Sequence, residues 1–290
     1  MRTYRALLAA ALLAGVAGCT QPPVCHPGQS PVPPLVRPDP AAGFHRLAHS
    51  HNDYEQARPL QDALDSRFYS VEADVWYGRG TLPVSHMGFG SKGSLRQLYL
   101  DPLQARVDER GSVQGDGRPF VLWLDVKEHP AGMAAALHDL LAQYPMLTRF
   151  TDTTTVEGPV TVVLTGDDQV KRDVVERYAE RRAVRDSNAY SLSDPPADNR
   201  WRYYALAWGD YLQSGLDGLD GRLDAFQEQR LACILENAHR GGRQVRLFGL
   251  PDEAPVWAEL LNRSADFINT DNLAGLSHFL DGQLAAAPRP

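Results

Sequence analysis

The sequence predicts an α/β fold, a (β/α)8 barrel of the TIM type, on three observations. Short apolar runs of strand character alternate with helical stretches; there are eight such runs; and polar residues able to do chemistry collect where the runs end. Alternating β and α implies a parallel sheet, and eight strands is the number that closes one into a barrel. A chain of 290 residues with 43% hydrophobic content can bury one core of that size, since such barrels take about 250 residues.

In chain order, Met1 to Arg5 carries two arginines, Ala6 to Ala17 is apolar, and Val16-Ala17-Gly18-Cys19 follows. That pattern is expected of a signal peptide over 1–18, too short to span a bilayer, and the last four residues resemble a bacterial lipoprotein box. On this reading Cys19 is lipidated, the membrane is a partner through that anchor, and the protein is an exported bacterial cell-envelope lipoprotein. The alternative is an ordinary secretory signal cut elsewhere. Residues 19–42 read as a tether, because eight prolines lie between Gln21 and Pro40, and proline fixes φ and lacks an amide donor. The barrel domain is expected over 43–285.

Within it the strand candidates are 44–50, 70–76, 120–126, 160–165, 182–186, 203–208, 244–249 and 266–270. Helices are expected at Pro59 to Arg67, Leu95 to Arg110, Ala131 to Tyr144, Asp167 to Arg181, Leu219 to His239, Glu253 to Asn262 and Leu273 to Leu280. Residues 187–200, SNAYSLSDPPADNR, have no apolar periodicity, which predicts a loop and an irregular barrel near strands five and six.

The first two runs carry the densest chemistry. Strand side chains alternate faces, so Glu72 and Asp74 project to one side while Val71, Ala73 and Val75 project to the other. Two carboxylates on one face repel unless a cation or proton lies between them. His51 and Asn52 follow the first run, and His86 closes a short hairpin turning through Tyr77-Gly78-Arg79-Gly80. Asp125 and Lys127 share a face at the end of the third run. In barrel enzymes the carboxyl ends of strands form the active rim.

These residues carry a resemblance. SHNDY at Ser50 to Tyr54 is similar to the SHNTY stretch of phosphoinositide-specific phospholipase C, VEADVWYG at Val71 to Gly78 to its VELDCWDG stretch, and LPVSH at Leu82 to His86 to the segment delivering its second histidine. An early His, a Glu-x-Asp pair and a second His also mark glycerophosphodiester phosphodiesterases and the sphingomyelinase D group. The chain thus resembles the phospholipase-C-like phosphodiesterase superfamily, nearest the altered-inheritance-of-mitochondria protein 6 branch. FINTDNL resembles the closing strand of glycerophosphodiester phosphodiesterases.

The resemblance implies hydrolysis of a phosphodiester of glycerophosphodiester or phospholipid head-group type, on a small-molecule or lipid substrate. His51 and His86 would share acid and base roles, and Asn52, Glu72, Asp74 and Asp125 would hold one divalent cation. An all-oxygen donor set suits Ca²⁺ or Mg²⁺ better than Zn²⁺. Many relatives carry Glu at the position of Asp125. Lys127 would add positive charge at the phosphate.

Each assignment has a plainer competitor. Glu72 and Asp74 could pair with Arg79 or Lys127 in a structural ion cluster, and Lys127 could serve Glu72 instead of phosphate. His49 reads as a hydrogen-bonded core histidine. Trp76, Trp123 and Trp208 read as packing, and Asp271 as a turn residue. The His49-x-His51 pair also fits amidohydrolase or PHP-type metal hydrolases, yet no histidine lies between His138 and His239 to supply their later ligands. A non-catalytic, envelope-tethered binding barrel is the reading from a different class. The net charge of −7 argues against nucleic acid as a partner. Cys25 and Cys233 could form a disulfide, but one pair makes no framework. The sequence leaves the oligomeric state open.

Overall fold

The computed structural model describes residues 43–78, 80–212 and 223–286. The expected signal peptide, the tether with Cys19 and Cys25, and Arg79 lie outside the described residues. Eight strands form the barrel: β1 Ala48–Ser50, β2 Ser70–Val75, β3 Phe120–Val126, β4 Val160–Gly166, β5 Ala183–Ser187, β6 Trp201–Ala207, β7 Gln244–Phe248 and β8 Ile268–Thr270. They follow the eight predicted runs one for one. A continuous parallel ladder connects β7, β6, β5, β4, β3, β2, β1 and β8 in that order.

The seam between β7 and β8 is closed by packing and by a side chain. The buried Asp266 Oδ2 accepts the Val245 amide at 2.8 Å and meets His239 Nε2 at 2.8 Å. A carboxylate thus satisfies a backbone donor at the seam, which would otherwise be a buried orphan.

Among the described residues eight α-helices accompany the strands: α1 Gln61–Asp65, α2 Asp101–Arg110, α3 Met133–Leu141, α4 Asp168–Arg177, α5 Trp208–Tyr211, α6 Ala225–Arg240, α7 Ala254–Asn262 and α8 Leu273–Ala286. Several boundaries differ from expectation for local reasons. The first run opens as a 3₁₀ turn, Phe44–Leu47, before β1. Left-handed Leu60 and Arg67 bracket α1, leaving it five residues. A π-helical turn, Arg96–Leu100, precedes α2. The extended backbone of Tyr178 stops α4 four residues before Arg181. Asp167 caps α4 through the amides of Gln169 and Val170, and Asp224 with Gln227 forms a capping box on α6.

Ser187 and Trp201 are joined without helix or strand, and the β5–β6 register shifts between Trp201 and Tyr203. This loop is polar but anchored: Tyr204 donates to Asp194, Arg243 to the carbonyls of Pro195 and Pro196, and the Ala197 amide to Gly241.

Strand parity divides the core. Leu122, Leu124, Val162 and Leu164 face outward under the helices. Trp123, Val163, Val184, Tyr203, Ala205 and Phe267 fill the barrel interior. Trp123 and Trp208 are packing residues, both buried. Buried Cys233 is disulfide-bonded. Among the described residues no helix is long and apolar enough to cross a membrane.

Candidate active site

The inward faces of β2 and β3 advance in register, Glu72 beside Trp123 and Asp74 beside Asp125. Period-two alternation therefore brings three carboxylates toward one end of the barrel. All of Ser70–Val75 is buried, so both β2 carboxylates require partners. Glu72 Oε1 pairs with Arg246 Nη1 of β7 at 2.7 Å. Asp74 Oδ2 meets Lys127 Nζ at 2.8 Å, and the same ammonium reaches Asp125 Oδ2 at 2.6 Å. Lys127 thus serves Asp74 and Asp125, while Arg246 serves Glu72.

Two oxygens remain over. Glu72 Oε2 and Asp74 Oδ1 are buried with no hydrogen-bond partner. Burial pushes the Glu72 carboxyl up, but Arg246 and His51 outweigh it and hold it below the usual carboxylate value. Burial wins at Asp74, where a second carboxylate, Asp125, adds to it and the carboxyl titrates above its usual range despite Lys127.

The two predicted histidines stand at opposite ends of this pair. His51 Nε2 lies 3.6 Å from Glu72 Oε2, and its Nδ1 lies 2.8 Å from Asp271 Oδ1 just beyond β8. A carboxylate can only accept, so Nδ1 carries the proton and Nε2 faces Glu72. Burial pulls the His51 imidazole down, but the hydrogen bond it donates to Asp271 and the charge of Glu72 raise it above its usual value. His86 Nδ1 lies 3.3 Å from Asp74 Oδ2. Asn52, at a left-handed φ of 43°, turns its Oδ1 to the Tyr54 hydroxyl at 3.0 Å.

His49 is fully buried, with Nδ1 2.7 Å from Ser70 Oγ and Nε2 3.0 Å from Arg246 Nη1. Arginine only donates, so Nε2 accepts; burial first, then Arg246 and His51, drive the imidazole well below its usual value and keep it neutral. It belongs to the interior, edge-on to Trp123 and Phe267.

A cavity of about 270 Å³ opens over the group, lined by His51, Glu72, Asp125 and Arg246 on one side and Thr165, Gly166, Asn188 and Phe248 on the other. Sequence reasoning misses Arg246 and Asp252, and places Asp271 only in the closing segment without its role. Arg246 was signalled only by a charge between Val245 and Leu247. Asp271 looked like a turn residue and instead orients His51. Asp252 accepts the Asp271 and Asn272 amides at 3.0 and 2.8 Å and also takes the Thr270 hydroxyl, fixing the strap that carries Asp271.

A family model for the AIM6-like phosphodiesterase domain matches residues 44–186, which hold every predicted site residue. Over these residues the chain is similar to that domain. Altered inheritance of mitochondria protein 6 of Eremothecium gossypii is 26% identical over 295 residues, covering 88% of this chain and 74% of that protein. Its namesake from Lachancea thermotolerans is 25% identical over 276 residues, covering 79% and 64% respectively. A crystal structure of a glycerophosphodiester phosphodiesterase from Parabacteroides distasonis aligns with a TM-score of 0.50 at 12% identity, over 82% of this chain and 98% of that one, and shares the barrel fold.

These relatives correct the expected location. They are yeast proteins named for mitochondrial inheritance, not bacterial cell-envelope lipoproteins. Four small residues ending an apolar run are a short pattern, and a match over most of the chain outweighs it.

Proposed function

We propose that this protein is a phospholipase-C-like phosphodiesterase that hydrolyses phosphodiesters of the glycerophosphodiester or phospholipid head-group type with one divalent cation, Ca²⁺ or Mg²⁺. The observation that carries the reading is the pair of orphaned buried oxygens, Glu72 Oε2 and Asp74 Oδ1, on one face of β2 with an imidazole beside each carboxylate. Buried anionic oxygens without partners are costly, and a hard cation accepts such donors.

Among the described residues no three His, Cys, Asp or Glu side chains are disposed to hold a metal by themselves. The ion would be held by Glu72, Asp74, Asp125 and the Asn52 amide oxygen, with water or substrate completing the shell and with the Lys127 ammonium, now on Asp74 Oδ2 and Asp125 Oδ2, giving way to it. When bound, the ion supplies charge neutralisation at a non-bridging phosphate oxygen.

The remaining work falls to side chains. Asp271 holds His51 with Nε2 turned to Glu72 and the cavity. One imidazole accepts the nucleophile's proton while the other donates to the leaving oxygen, each contributing about 10²–10⁴-fold. Lys127, half-withdrawn between Asp74 and Asp125, lends its charge to the bound phosphate.

The test is turnover of a glycerophosphodiester with and without chelator, by wild-type protein and by His51→Ala and Glu72→Gln. Loss of turnover in both variants and under chelation, with circular dichroism unchanged, is expected. Full activity in either variant would refute the assignment.

A further inference from the structure

We propose that Tyr54 is the positioning residue of His86, its hydroxyl accepting the Nδ1 proton of that imidazole while donating its own to Asn52 Oδ1. The proposal rests on the acid–base reading of His86 for its catalytic consequence, but not for its geometry.

The proton assignment follows from which atoms can donate. Tyr54 is fully buried, and its oxygen lies 3.0 Å from Asn52 Oδ1 and 3.2 Å from His86 Nδ1. The amide oxygen only accepts, as does the Asp74 carboxylate that also meets this hydroxyl, so the single phenolic proton points toward these oxygens and away from the imidazole. His86 Nδ1 also lies 3.3 Å from Asp74 Oδ2, a carboxylate oxygen that likewise accepts. Both neighbours of Nδ1 are therefore acceptors, and Nδ1 carries the hydrogen. The Nε2 lone pair is left free for proton transfer. In an unrestrained neutral imidazole the Nε2–H form is the commoner one, so this tautomer is imposed by the site.

His86 needs such a hold. Its side chain is 56% exposed, and the flanking residues Met87 and Phe89 are exposed as well. Asp74 Oδ2 is already engaged by Lys127 at 2.8 Å, so the carboxylate alone is a divided partner. Tyr54 is a rigid one. It sits in the turn Asp53–Glu55, whose Asp53 carboxylate accepts the Ser50 hydroxyl, the Leu60 amide and the Tyr99 hydroxyl at 2.8, 2.5 and 3.0 Å. The same phenol therefore anchors a proposed ion ligand and a proposed proton carrier to one scaffold.

Nitrogen-15 NMR of histidine-labelled full-length protein, with His86 assigned by difference from His86→Ala, reads the tautomer directly. The wild type is expected to show Nδ1–H, and Tyr54→Phe to shift toward Nε2–H. With a glycerophosphodiester, Tyr54→Phe is expected to lower kcat about tenfold with KM little changed, the scale of one lost hydrogen bond. Tyr99→Phe, which loosens the same turn from its other side, is expected to lower Tm and leave the His86 signals as in the wild type. An Nε2–H signal for His86 in the wild type overturns the proposal without reference to any variant's folding. So does an unchanged tautomer in Tyr54→Phe. An Nδ1–H signal together with no turnover of any phosphodiester would sink the proposed function and leave the positioning role standing.

Discussion

Replacing Arg246 by methionine leaves Glu72 with a buried negative charge and no close guanidinium. Both side chains are 3% exposed and pair at 2.7 Å, and Arg246 also stacks 4.6 Å from the Trp123 ring. Breaking a buried pair from one side costs about 3–5 kcal/mol. The charge term has a ceiling, because Glu72 can take up a proton instead. From the ordinary value of 4.5, that costs about 3.4 kcal/mol at pH 7 and about 0.7 kcal/mol at pH 5, at 1.36 kcal/mol per pH unit. In the wild type Glu72 is held below 4.5. Its contribution is present above the unfolded value and is lost only as the pH falls through the lower folded one, so it stays constant between pH 7 and 5. Urea unfolding should therefore show Arg246→Met less stable by about 3 kcal/mol at pH 7 and by about 1 kcal/mol at pH 5. Adding Glu72→Gln should recover most of the pH 7 loss. A deficit below about 1 kcal/mol at pH 7, or one equal at both pH values, would refute the claim that Arg246 compensates the Glu72 charge.

Two further outcomes are expected. Burial pushes the Asp53 carboxyl up to about 6 from 3.8, so its contribution is full below the unfolded value and is lost as the pH rises through 6. Urea unfolding should show the wild type gaining about 2–3 kcal/mol on Asp53→Asn as the pH falls from 7 to 4, and a constant difference would contradict it. At Gly166, φ is +83° and a Cβ would collide with Asp125 Oδ1 and the Val126 carbonyl. Gly166→Ala should lower stability by about 1–3 kcal/mol and reduce turnover by displacing Asp125, as thermal melts and kinetics would show.

Much of this site was legible from strand parity. Alternation alone put Glu72 and Asp74 on one face, Asp125 and Lys127 on another, and both faces meet because the ladder pairs Asp74 with Asp125. The eight runs were legible because each is apolar and bounded by turn residues. The cation bookkeeping was not. Lys127 reaches back two residues on its own strand, which spacing allowed, whereas Arg246 reaches Glu72 only once the barrel closes. Asp271 looked like a turn residue because it does sit in a turn; its second role depends on β1 lying beside β8. Tyr54 escaped notice for a similar reason, since His86 returns to it through a hairpin. The fold boundary at α1 was missed because Leu60 and Arg67 adopt left-handed φ without being glycine or asparagine, and no composition signal marks that.

Under the proposed function, the imidazoles and unsatisfied oxygens around Glu72 and Asp74 cleave phosphodiesters. Phosphorus NMR of a glycerophosphodiester incubated with wild-type protein and Ca²⁺ or Mg²⁺, beside Glu72→Gln, measures it most directly. A monoester or cyclic phosphate signal is expected to grow with wild type and to stay absent with the variant and with chelator. A product appearing at the same rate in all three samples, or in none across a panel of glycerophosphodiesters and phospholipids, would contradict it.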